Sequence, residues 1–126
     1  MPATERARRV ALVRLGWSAV LLAAPRLMLT LALAPAERRS RIGRAVVLLL
    51  GLRNLVQAVI ELASPTRAVL TGAAAVDAIH ALSFLRLATG HGDRRWHRAA
   101  LFNVVTALGF CAATTSTIPT SEGSDK

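Results

Sequence analysis

"GLRNLVQAVIEL", residues 51–62, is a run of apolar, helix-forming residues interrupted by Arg53, Asn54, Gln57 and Glu61. At about 100° of rotation per residue, these four project within a single arc of about 100°, giving a greasy helix with one polar stripe. Where that stripe points decides what kind of protein this is. A charged side chain at bilayer depth costs at least about 2.5–3.5 kcal/mol, so in lipid the stripe must face protein or water.

The rest of the chain favours lipid. Hydrophobic residues make up 53% of the 126, against about 45–50% in ordinary soluble chains, and the excess is mostly Ala, Leu and Val. Aromatics are only 4%, which leaves few large anchors for a soluble core, whereas helix contacts in lipid are built from small residues. The formal charge of +9 is clustered between apolar runs: Arg6, Arg8, Arg9 and Arg14, then Arg38, Arg39, Arg41 and Arg44, then Arg94, Arg95 and Arg98. Clusters at run ends are what membrane flanks carry. No nucleic-acid recognition motif accompanies them, so the reading includes no nucleic-acid partner. The single Cys111 excludes an intrachain disulfide and an all-Cys metal site.

Four apolar runs, 15–34, 45–63, 68–89 and 99–118, each approach the ~20 residues needed to cross the hydrocarbon layer. Ser64-Pro65-Thr66 separates the second from the third, Gly90-His91-Gly92-Asp93 opens the next connection and Pro119 ends the last. Short connections make sequential helices antiparallel neighbours. The expected architecture is therefore one all-α domain, an integral membrane up-down four-helix bundle over 15–118, after a basic segment 1–14 and before a disordered tail 119–126. Pro25 inside the first run either kinks it or splits it into a re-entrant pair. A competing reading treats the first run, ending at Ala34-Pro35-Ala36, as a secretory signal, although Arg26 is unfavourable there. The Lys and Arg tally is nearly balanced for four spans and slightly favours cytoplasmic connections at 35–44 and 90–98. A three-span chain would put all three Arg clusters inside.

The partner of the polar stripe lies in the third run. With the turn centred near Pro65, Arg53 stands twelve positions before it and Asp77 twelve after it, both about 18 Å deep at 1.5 Å per residue. The same counting about the first connection places Arg26 level with Arg53, and His80 follows Asp77 by one turn. Arg26, Arg53, Asn54, Gln57, Asp77 and His80 thus form the candidate buried layer, with Ser83 adding a hydrogen bond and Glu61 reaching the interface. Two roles are open to this layer. It fixes helix register, or it lines a cavity for a proton, an anion or a small amphipathic ligand. Trp17 and Trp96 suit interfacial belts, and Asn103, Thr106 and Cys111 read as packing positions. No nucleophile and base can be placed together, so no catalytic residue, metal site or cofactor is assigned, and the expected role is non-enzymatic.

"LGLRNLVQAVIEL" at 50–62 and "AVDAIHALSFL" at 75–85 resemble signature segments of small four-span bacterial membrane proteins, broadly DoxX-like, over about a third of the chain. The resemblance marks Gly51, Arg53 and Asp77 as family positions, with His80 beside them. It implies a multi-pass protein of the bacterial inner membrane linked to quinone or thiosulfate oxidation and redox homeostasis, although the sequence carries no haem, flavin or metal motif. The expected function is a membrane accessory or interaction subunit, with the bilayer and a membrane protein or second copy as partners. A small transporter or quinone-associated redox component is the alternative.

Overall fold

The computed structural model describes residues 2–32, 41–90 and 97–118. The Ala34-Pro35-Ala36 signature, Arg38 and Arg39, His91, Arg94 and Arg95, Trp96, Pro119 and the tail lie outside them. The described residues are all-helical: α1 (Ala3–Ala23), α2 (Pro25–Ala32), α3 (Arg41–Ala63), α4 (Arg67–Thr89) and α5 (His97–Thr115). By length and composition α3, α4 and α5 can each cross a membrane, and α1 with α2 adds a fourth only if the bent pair counts as one span rather than a re-entrant loop.

The first run differs most from expectation. Its helix begins at Ala3 rather than Leu15, so the basic segment is helical and not a separate flank. Its end is set by Pro25. The residue before a proline is pushed out of the helical region, and Ala24 accordingly sits at φ −131°, ψ 55°. Proline itself is well suited to a first helical position, so α2 starts at once, bent 95° from α1. At the other expected break, the Thr66 hydroxyl caps α4 by accepting the Val69 N–H at 3.3 Å.

The helices pack as two close pairs, α1 with α3 and α4 with α5. Sequential α3 and α4, although antiparallel, approach each other mainly through long side chains. The buried positions explain the pairing. On α1 they are Ala7, Ala11, Arg14, Ser18 and Leu21; on α3 they include Gly51, Asn54, Ala58 and Glu61. On α5 they are Ala100, Val104, Ala107 and Thr114. These alternating steps of three and four are the spacing of a helix–helix seam, and its small residues let backbones come close. Gly51 is the tightest point, since a Cβ there would lie 2.9 Å from Leu22 Cγ and 3.1 Å from Leu21 Cβ. Outward-facing positions are large and apolar instead, among them Leu49, Leu52, Val59, Ile79, Leu82, Leu101 and Val105.

Candidate functional site

The two helix pairs meet around one guanidinium, that of Arg14, which is wholly buried in the middle of α1. Its Nη1 donates to Asp77 Oδ1 at 3.1 Å and its Nη2 to Asp77 Oδ2 at 2.7 Å. This is the fork-to-fork geometry that makes arginine–carboxylate pairs strong. Nη1 also reaches Asn54 Oδ1 at 3.5 Å, and Nη2 reaches Thr114 Oγ1 at 3.2 Å. The Phe110 ring lies against the cation, 4.4 Å from its centroid, an arrangement favoured by the ring quadrupole. One side chain of α1 is thereby tied to α3, α4 and α5.

Asp77 receives two further donors, Arg53 Nη2 at 3.0 Å on Oδ1 and Gln57 Nε2 at 3.4 Å on Oδ2. Gln57 Nε2 also reaches the Ala73 carbonyl at 3.2 Å. A carboxylate offers about four acceptor sites, and all of Asp77's are used. It holds two arginines and an amide within the bundle.

Glu61 is the opposite case. It is 1% exposed, enclosed by protein, and its Oε1 lies 3.4 Å from Arg14 Nε. Yet neither of its oxygens, nor Arg14 Nε, makes a hydrogen bond within the described residues. The layer therefore holds two arginines and two carboxylates and is neutral when both acids are ionised.

Beside the layer lies a cavity of about 370 Å³ with walls from all five helices. Arg53, Asn54, Asp77 and His80 form one polar wall, joined by Asn103 and Thr106 from α5. Most of the rest is apolar, including Trp17, Leu21, Met28, Leu29, Val46, Leu50, Phe84 and Phe110. His80 packs obliquely on Phe84, with 4.6 Å between ring centroids. Unlike Arg14, the Arg53 side chain keeps a quarter of its surface accessible. The pairing of apolar walls with a few convergent polar groups is what small-molecule sites have in common.

Of the residues expected in the layer, the structure brings Arg53, Asn54, Gln57 and Asp77 into one hydrogen-bonded group and sets His80 on its cavity side. It does not bring Arg26 there. Counting depth along a straight first helix ignores the bend at Ala24, which carries Arg26 onto α2, where it is exposed. Ser83 is exposed as well and donates only to the Ile79 carbonyl. Trp17 lies within α1 rather than at the start of its helix, 5.8 Å from the Phe102 ring, and lines the cavity. Arg14 is the residue that sequence reasoning assigned to the flank. The signal that could have found it is its place in the Ala7, Ala11, Arg14, Ser18, Leu21 stripe, where every other member is small or apolar.

No family model, no curated protein and no solved structure matches this chain.

Proposed function

We propose that this chain is an integral membrane protein that holds a small amphipathic molecule inside its helical bundle, without catalysing a reaction. The cavity beside the polar layer carries this reading. A volume of about 370 Å³ falls at the small end of the ~300–1,000 Å³ typical of ligand sites, and only one wall is polar. A ligand matching it has an apolar body and an electronegative head that accepts hydrogen bonds from Arg53 and Asn103, with His80 at its edge. The outward Leu, Val and Ile residues support a bilayer setting, because a soluble protein does not coat three helices with them. In lipid, an amphiphile reaches such a site without leaving the apolar phase.

The layer then has two parts. Arg14, Asp77, Asn54 and Thr114 lock the helices together, while Arg53 and His80 face the ligand. A quinone-associated role in a bacterial inner membrane, as the DoxX-like resemblance implies, is a special case, since a quinone joins carbonyl oxygens to an apolar body. An accessory subunit that binds a partner protein is favoured by the saturated Arg14–Asp77 core, which needs no ligand.

Trp17 provides the test. In a Trp96→Phe background, a brominated alkyl amphiphile entering the cavity quenches Trp17 saturably. Ala107→Phe, which fills the cavity, leaves only the linear quenching of micelle partitioning. Linear quenching in both proteins would remove the ligand-binding reading and leave the accessory role.

A further inference from the structure

Among the described residues, Glu61 is the one buried acid with no oxygen in hydrogen-bond geometry, although it lies within 3.4 Å of the network's central cation. A buried carboxylate in that condition lacks the donors that offset its desolvation. Its described polar neighbours are Arg14 and the Gln57 amide, and neither meets hydrogen-bond geometry with it in this structure. Two spaces touch it. One, of about 640 Å³, opens where the start of α1 meets the end of α3 and is lined by Thr4, Glu5 and Arg8 as well as Glu61. The other, of about 300 Å³, runs between α3 and α4 past Gln57 to Arg53, and Arg53 also lines the ligand cavity. Glu61 therefore stands between a mouth of mixed polarity at the bundle end, where Glu5 and Arg8 sit beside Leu12 and Leu62, and the arginine that faces the ligand.

We propose that Glu61 is a proton-binding site, and that its protonation couples to the binding of an anionic head group in the cavity. The proposal rests on the ligand-binding reading above. The proton passes from a hydronium ion at the Glu5 and Arg8 side of that mouth to a Glu61 oxygen, leaving water behind. The charged groups around that site are Glu5, Arg8 and Arg14 on α1, Arg53 on α3 itself, and Asp77 on α4, with His80 further along α4. To Arg14, α5 presents the uncharged Phe110 and Thr114. With Glu61 ionised the two arginines are matched by two carboxylates. With Glu61 protonated, Asp77 alone faces two arginines, and the layer carries one uncompensated positive charge. In a low-dielectric interior that charge is weakly screened, and an anion beside Arg53 neutralises it. Proton and anion therefore favour each other's binding by the same factor, as linkage requires.

The probe is a brominated alkylsulfonate, anionic at every working pH, with its binding read by Trp17 quenching in full-length Trp96→Phe protein. Affinity is expected to rise as pH falls, by a total factor within the roughly 5–150-fold range of ordinary coupling. Glu61→Gln should bind at the low-pH affinity throughout, with no slope. His80→Gln should weaken binding but keep the slope. A flat wild-type profile, a slope surviving in Glu61→Gln, or one abolished only by His80→Gln would overturn the proposal. If Glu61→Gln does not fold, Glu61→Asp must retain the slope with a displaced midpoint. Should the sulfonate bind to none of these proteins, the ligand-binding reading falls and the coupling with it. The proton site is then judged alone, by infrared difference spectra. A protonated-carboxyl band that appears on acidification and is missing from Glu61→Gln supports it, and a band unaffected by that substitution refutes it.

Discussion

Replacing Arg14 by Gln should be the most damaging single change in the polar layer, and replacing Arg26 by Gln should leave the unfolding transition where it is. Arg14 supplies two of the four donors on Asp77, one on Thr114 and one on Asn54, besides its contact with Phe110. Its removal leaves Glu61 without its nearest cation and Asp77 with Arg53 and Gln57 only. Breaking a buried pair by deleting one partner costs about 3–5 kcal/mol, because the other charge stays buried. At about 1.4 kcal/mol per decade, that is two to three and a half orders of magnitude in the folding equilibrium. The cation–π contact is part of this loss and is not added to it. The assay is reversible unfolding in mixed micelles, with sodium dodecyl sulfate titrated into a mild detergent and helicity followed by circular dichroism. Arg14→Lys separates charge from shape: it keeps the cation but loses the fork, so it should fall between wild type and Arg14→Gln. If Arg14→Gln and Arg26→Gln unfold together near the wild-type midpoint, the reasoning that places Arg14 at the centre of the bundle is wrong.

The double-mutant cycle of Arg53→Gln and Asp77→Asn should show coupling within the ~0.5–3 kcal/mol range found for residues in contact. Its Arg53→Gln arm should be the milder, because that side chain keeps access to solvent and Asp77 retains its Arg14 fork. Gly51→Val should destabilise by about 1–3 kcal/mol through overpacking against Leu21 and Leu22, measured by the same unfolding assay. Gly72→Ala, where a Cβ meets nothing within 4 Å, should be stabilising by up to about 1 kcal/mol from helix propensity. Cys111, half-buried with its thiol donating to the Ala74 carbonyl at 3.4 Å, should react slowly with a maleimide in the native micelle. Labelling should accelerate when Ala81→Leu forces the α4–α5 seam apart; equal rates would refute that placement.

The sequence by itself determined that α3, α4 and α5 are helical and apolar enough to cross a membrane, because hydropathy and periodicity are properties of local chain. It determined the α3–α4 turn, because Ser64-Pro65-Thr66 carries its break and cap in adjacent residues. Depth matching about that turn placed Arg53 beside Asp77, since two helices joined by three residues have little freedom in relative depth. Tertiary structure decided the rest. Periodicity gives the face a residue occupies but not the helix that face meets, so the pairing of α1 with α3 and of α4 with α5 had no local signature. Depth matching failed for Arg26 because it assumed a straight path through Ala24, where the constraint from Pro25 turns the chain by 95°. The same bend makes α1 a separate helix that begins at Ala3, with Arg14 near its middle. Glu61 looked like an interfacial acid from its place near the end of α3. It is buried because α1 runs antiparallel to α3 and lays its first turns over that end, a contact between residues more than fifty positions apart. The charges that define the site were thus all visible in the sequence, and only packing decided which of them share one enclosed layer.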